Sequence, residues 1–368
     1  MTNRISTRKK VLLAIIIVLA LAGIVLIACW ITQNKENPDV TAAFIEEHMT
    51  NDNGTIATYL KPAASENPDI VAGREALSES LGLWMQTAVV SGNRARFDDS
   101  VQLLTTYFLN QEQEPYIQWK LRPDGQSEVT TNALGDDLRI LDALLNAFNR
   151  WGEEEYLQLA KKIGSALLAV QTEDYLVDYH DFARDESAAA LSLVYIDLSA
   201  LREMHNNGIL SSQDYERYRN LLAHMPSDGV FYPKTFHIGT GQYEYDASVN
   251  LIDQLIVGIH LAEMNHPPTD LIAFLKGEFR QHQRLAGRYT RKSRKPDADY
   301  ESPAVYGLAI ILALQTKDLP WAQQLHERML QLRDQDPAYP GGYVFDGNTH
   351  AFDNLFPLLA ETLFEQSK

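Results

Sequence analysis

The sequence predicts an all-α fold: an (α/α)6 toroid of helical hairpins preceded by one N-terminal transmembrane helix. Three observations predict it. Val11 to Ile31 carries no charged side chain over 21 residues. Beyond it, twelve segments place apolar residues at three- and four-residue spacing, and no convincing run of alternating strand pattern interrupts them. The connections between those segments alternate between short and long, as a stack of helical hairpins requires.

The apolar run comes first along the chain. At a rise of about 1.5 Å per residue, 21 residues span a hydrocarbon core of about 30 Å. Arg4, Arg8, Lys9 and Lys10 precede it, which predicts a cytoplasmic segment at 1–10 and an anchor at 11–31. A polar stalk at 32–38 and an extracytoplasmic domain at 39–368 follow. A cleaved signal peptide needs a shorter apolar core and a small-x-small site, and no good site of that kind is present. Leu26-Ile27-Ala28-Cys29 supports a competing reading, because it has the pattern of a lipobox in which Cys29 is lipidated after cleavage. The continuation of the run through Trp30 and Ile31 favours the uncleaved anchor. Both readings tether the domain outside a membrane. Cys29 is the single cysteine, so the exported part has no disulfide and draws its stability from its core.

The helical segments run approximately 38–50, 71–90, 94–110, 133–151, 154–171, 187–206, 211–223, 246–264, 268–283, 302–316, 319–333 and 351–366. In the fourth, Leu134, Leu138, Leu141, Leu145 and Phe148 form one apolar stripe. Tyr243 to Tyr245 and Gly342 to Phe345 read as short extended pieces. Short turns close pairs at Ser91-Gly92-Asn93, Trp151-Gly152-Glu153, Asn206-Asn207-Gly208, His266-Pro267-Pro268 and Asp318-Leu319-Pro320. Long connections separate the pairs and precede helices starting near 71, 133, 187, 246, 302 and 351. Those six are the inner helices of a toroid, and the long loops gather on one face beside their N-termini, where sites are usually built. A plain α-solenoid has the same helix count; the loop alternation favours a site-bearing face.

The formal charge is −17, and the first ten residues hold four of the 32 basic residues and no acid, so the remainder is −21. Such a surface repels nucleic acid and anionic lipid and suits a neutral or cationic polymer. No metal or cofactor is indicated. The ten histidines are scattered without a His-Glu-x-x-His spacing, and neither a phosphate loop nor a Gly-x-Ser-x-Gly elbow is present.

Acids stand at or near the starts of the inner segments: Glu79, Asp136-Asp137, Asp185-Glu186, Asp246, Glu301 and Asp353. Capping explains any one of these, since Asp and Ser favour N-caps and the helix dipole stabilises carboxylates there. Glu79 is the exception. The spacing places it about two turns inside its helix, between Leu77 and Leu81-Gly82-Leu83-Trp84, where desolvation raises a carboxyl pKa toward that of a general acid. A Glu on a solvent-facing stripe is the bland alternative.

Three blocks resemble glycoside hydrolase family 8. Ser78-Glu79-Ser80-Leu81-Gly82-Leu83-Trp84-Met85 is similar to that family's Ser-Glu-Gly-x-Gly-Tyr-Gly-Met block, whose Glu is the general acid. Asp137-Leu138-Arg139-Ile140, followed by Ala143-Leu144-Leu145, Ala147 and Trp151, matches the second half of the family signature. Tyr245-Asp246-Ala247 resembles the Tyr-Asp-Ala block that supplies the general base. Trp119 sits where the family has a tryptophan before the signature, and Tyr195 where it has the Tyr of Asn-Pro-Ser-Tyr. The departures are Gly135 for the first signature Asp, with Asp136 beside it, Val249 for an Arg, and Ser192-Leu193-Val194 for Asn-Pro-Ser. The likeness is greatest to membrane-anchored hydrolases encoded with bacterial exopolysaccharide synthesis systems.

The resemblance implies an inverting, endo-acting hydrolase of a bacterial exopolysaccharide or related β-linked glycan, without cofactor, acting beside the synthesis machinery. Glu79 is then the acid and Asp246 the base, with carboxyls about 6.5–9.5 Å apart to admit a water. Asp137 holds the distorted sugar. Trp119, Tyr195, Trp84, Tyr245 and Asp136 contact neighbouring sugars, with Tyr306 a further stacking face. A non-catalytic polysaccharide-binding scaffold of a synthesis complex is the alternative from another class.

Overall fold

A computed structural model describes residues 37–67, 70–110 and 115–368. The apolar run and Cys29 lie outside them. Among the described residues no helix is long and apolar enough to cross a membrane.

Twelve α-helices are present among the described residues. They are α1 (Pro38–His48), α2 (Ser78–Ser91), α3 (Arg94–Leu103), α4 (Leu134–Trp151), α5 (Glu154–Ala169), α6 (Leu198–Asn206), α7 (Ser212–Ala223), α8 (Leu251–Glu263), α9 (Thr269–His282), α10 (Pro303–Gln315), α11 (Leu319–Leu332) and α12 (Phe352–Ser367). The even-numbered helices from α2 to α12 adjoin one another in cyclic order, with α12 returning to α2. Their partners α3, α5, α7 and α11, together with α1 against α12, lie outside that ring. The expected toroid of hairpins therefore has its counterpart in a closed helix-rich ring. α10 explains itself as an inner helix, because every side chain from Pro303 to Ala313 is buried.

The short turns close for local reasons. Gly92 takes φ 75° and ends α2 in the left-handed conformation that costs glycine least, its N–H returning to the Ala88 carbonyl. Asn93 then caps α3, its Oδ1 accepting from Arg96 N–H at 3.1 Å. The twelfth member, α1, is fastened by a buried ionic cluster. Arg333 Nη1 lies 3.1 Å from both oxygens of Glu361 on α12 and donates to Thr41 Oγ1 on α1 at 3.1 Å, while Tyr343 OH donates to Glu361 at 2.8 Å. Breaking one side of such a buried pair costs about 3–5 kcal/mol.

Short strands in the long connections are the main departure from the sequence reading. Ala76–Leu77 pairs with Lys120–Leu121, Ala190–Ser192 with Thr235–His237, and Ser248–Asn250 with Arg288–Thr290. Each first-named strand leads toward the N-terminus of an inner helix, so α2, α6 and α8 start later than expected. The segment expected to be helical from 187 is a strand, then a 3-10 turn at Leu193–Tyr195, with Asp197 as the N-cap of α6. Two- and three-residue strands are too short to leave an alternating pattern.

Candidate active site

The candidate site is assembled where the N-termini of the inner helices meet those strands. Pairing of Ala76–Leu77 with Lys120–Leu121 holds the chain extended, and Ser78 N–H donates to the Trp119 carbonyl at 3.0 Å, so α2 begins at Ser78. Glu79 consequently stands in the first turn and not two turns inside the helix. Its side chain is 28% exposed, with Arg139 Nη1 3.5 Å from Oε1. A Cβ on Gly82 would lie 3.1 Å from Arg139 Cγ, so that glycine clears the path of the arginine stem. The dipole of α2 favours a charged carboxylate in its first turn. Desolvation and the neighbouring charge of Asp136 win over it and over Arg139, pushing the Glu79 carboxyl up to about 8. A carboxyl protonated at neutral pH is able to donate a proton.

Asp136 is anchored against the same turn. Its Oδ2 accepts from Ser78 Oγ at 2.5 Å, and the Glu79 backbone N–H also donates to it. Burial pushes it up to about 6, while those donors and Arg139 pull it down. Asp137 faces different partners. It is 3% exposed, and its Oδ2 accepts from Asn132 Nδ2 at 2.6 Å, while Asn132 Oδ1 accepts from His180 N–H at 2.7 Å. Its Oδ1 has no hydrogen-bond partner among the described residues, and burial raises this carboxyl well above the usual range.

Tyr195, on the 3-10 turn, links the acids. A Cβ on Gly135 would be 2.5 Å from its ring. Burial, then the charges of Glu79, Asp136, Asp178 and Asp253, raise its hydroxyl pKa. Asp253 in the first turn of α8 shares Lys234 with Asp246: the ammonium is 3.9 Å from the former and 3.4 Å from the latter. Asp178 accepts from Ser192 N–H and Oγ and also feels Lys234. Asp246 does not open a helix. It lies in a loop, 40% exposed, and Asn250 caps α8 instead.

The expected aromatic contacts divide. Trp119 is partly exposed beside the start of α2. Tyr245 has Arg291 3.6 Å over its ring and donates to the Pro226 carbonyl at 3.0 Å. Trp84 is buried with the Arg96 guanidinium 4.3 Å from its ring centroid, on the side of α2 that faces α3. Tyr306 is fully buried, bonded to Glu301 and to Leu285 N–H. Neither of these two serves as a sugar platform. The acids of the last two inner helices are structural as well. Asp353 accepts from Ser302 Oγ at 2.6 Å and Ala304 N–H at 3.2 Å, and Glu301 pairs with Arg328. Asp185 lies in the turn between the paired strands His180–Asp181 and Glu186–Ser187.

Arg139, Asp178, Lys234 and Asp253 were not singled out in the sequence. Arg139 had a signal, since it lies within the matched signature block. The other three sit in loops or at a helix start and are gathered by the ring closure alone.

A ring of helices presenting a raised carboxyl beside aromatic rings and loop carboxylates is the arrangement of a carboxylate-dependent polysaccharide hydrolase. A family model described as glycosyl hydrolases family 8 matches residues 29–176. A Bacillus subtilis (strain 168) protein named putative lipoprotein YdaJ is 36% identical over 341 residues, covering 90% of each chain. The chain belongs to glycosyl hydrolase family 8 and is a glycoside hydrolase. Among solved structures, a novel alpha-amylase from Clostridium perfringens is similar with a TM-score of 0.80 and 25% identity, covering 88% of this chain and 97% of that one. PssZ from Listeria monocytogenes is similar in fold, with a TM-score of 0.70 and 23% identity over 87% of this chain and 94% of that one.

Proposed function

We propose that the protein is an inverting, endo-acting hydrolase of a bacterial exopolysaccharide or a related β-linked glycan, tethered outside the membrane. The observation that carries this reading is the Glu79 carboxyl, partly exposed at the site and pushed up to about 8 by burial and by Asp136. Glu79 gives its proton to the departing glycosidic oxygen. Asp246, on an exposed loop, takes a proton from the water that attacks the opposite face of the sugar. Asp137, expected to hold the sugar at the cleavage point, is 3% exposed and faces Asn132, so in this reading Asp136 beside Glu79 takes that role. Trp119, Tyr195 and Tyr245 supply stacking faces.

The tether reading rests on the apolar run and its basic flank. The printed name of the Bacillus subtilis relative supports the lipidated form, with Cys29 as the modified residue. Acting outside the membrane, the enzyme would meet exopolysaccharide as the synthesis machinery exports it.

A second reading of the substrate has its own support: the alpha-amylase named above points to an α-linked glucan. Reducing-sugar release across β-linked glycans, native exopolysaccharides and α-glucans tests both. Release from a β-linked or native exopolysaccharide supports the proposal. Release from α-glucan alone moves the substrate to the second reading, and release from none favours a binding scaffold.

A further inference from the structure

The ring encloses a second polar space away from Glu79. A cavity of about 590 Å³ is bounded by residues of all six inner helices. It reaches the last turns of five of them, at Val90, Arg150, Glu263, Gln315 and Gln366, and meets the start of α6 at Asp197 and Ser199. Asp197, His260 and Glu263 stand in its wall, and one ligand-capable atom of each lies within 4.8 Å of the other two. We propose that Asp197, His260 and Glu263 bind one divalent transition-metal ion of the zinc type, clamping α6 to α8.

The geometry admits ligation as well as hydrogen bonding. Glu263 follows His260 by three residues on α8, so both side chains lie on one face. His260 Nδ1 is 3.4 Å from Glu263 Oε2. That is long for a charge-assisted hydrogen bond, yet it is about the separation of two ligands around a tetrahedral ion with bonds of about 2.0–2.2 Å. His260 is 7% exposed. Asp197 Oδ1 caps α6 by accepting from Ala200 N–H at 3.0 Å, which leaves Oδ2 for an ion.

The charge balance points the same way. Asp142 adds a third carboxylate to the wall, but Gln86 at 3.1 Å, Asn146 at 2.8 Å and Ser199 already satisfy its oxygens. Asp142 therefore contributes field and not ligation. Arg139, whose charge reaches Asp197, also lies 3.5 Å from Glu79. Arg139 and Arg150 also line the space, so its carboxylates are only partly matched, and a divalent ion would complete the balance. An imidazole among carboxylates selects zinc-type ions over magnesium, which prefers oxygen and retained water. Three protein ligands leave a fourth position open to the cavity for water. The clamp would hold α6, an inner helix of nine residues, to its neighbour.

Calorimetric titration of untagged, chelator-stripped full-length protein in detergent with ZnCl2, and in parallel with MgCl2, tests the site. The expected result is one saturable Zn2+ site per chain, a higher unfolding midpoint at saturation, and no matching Mg2+ site. Glu263→Gln and Asp197→Asn should each weaken Zn2+ binding at least tenfold. Asparagine caps helices as well as aspartate does, so Asp197→Asn should unfold at the wild-type midpoint in chelator and report ligation alone. Absence of a Zn2+ site in the wild type, an equal affinity for Mg2+, or a Zn2+ site that both variants retain unchanged would overturn the proposal.

Discussion

The ring of Tyr195 occupies the space that a side chain on Gly135 would need, since a Cβ there would lie 2.5 Å from Tyr195 Cδ1. Gly135 is where the family signature has its first aspartate. The ring leaves no room for a side chain at this position, and the neighbouring acid is Asp136. Tyr195 thereby rests directly on the first turn of α4, within the field of Glu79 and Asp136.

This contact makes a prediction about Gly135→Asp. Restoring the family residue alone should displace Tyr195 and cost about 1–3 kcal/mol, as overpacking does. Turnover should fall along with the unfolding midpoint, and a variant with wild-type midpoint and turnover would show that the ring is free to move.

The pH dependence follows from Glu79. A general acid must carry its proton, so kcat/KM should decline as pH rises through about 8. The same group also sets a stability trend. Its folded pKa stands above the ordinary 4.5, so its favourable contribution is complete below about 4.5 and is lost as pH rises through about 8. Glu79→Gln should therefore be at least as stable as the wild type at about pH 9, measured by thermal unfolding.

The base is tested by a pair of variants. Asp246 lies in a loop while Asn250 caps α8, so Asp246→Asn should leave the unfolding midpoint unchanged. As general base it should lose about 10²–10⁴-fold in rate. Asp253→Asn, made beside it, should lose less. The reverse order would transfer the role to Asp253, the other carboxylate that Lys234 faces.

The tether is tested at Cys29. Under the lipidated form, Cys29→Ala should abolish fatty-acid labelling and processing while the domain stays accessible to protease on intact protoplasts. Unchanged mobility without labelling in the wild type would return the anchor to the uncleaved helix, and protection of the domain from protease would reject export.

Most of the helical frame was legible in the sequence because most helices bury a stripe, α10 being buried all round, and the short turns carry explicit punctuation. Gly92 and Asn93 end one helix and cap the next within two residues. The starts of α2, α6 and α8 were less legible. Strands such as Ala76–Leu77 and Ser248–Asn250 are apolar or mixed pieces that extend the helical periodicity by accident, and their pairing partners are distant in sequence. That error moved Glu79 from a first turn to a helix interior and Asp246 from a loop to a helix start. Burial still raises the Glu79 carboxyl at its new position, and the charge of Asp136 raises it further. Asp178, Lys234 and Asp253 left no local trace, since single polar residues in loops acquire meaning through tertiary contact.

Glu79→Gln tests most directly whether Glu79 delivers the proton that breaks the glycosidic bond. Glu79→Gln keeps the shape of the side chain and its place beside Arg139 while removing the transferable proton. Measured on whichever glycan the wild type degrades, with folding checked by thermal unfolding, the variant should remain folded and release almost no reducing sugar. A folded Glu79→Gln protein that turns over at the wild-type rate would contradict the account.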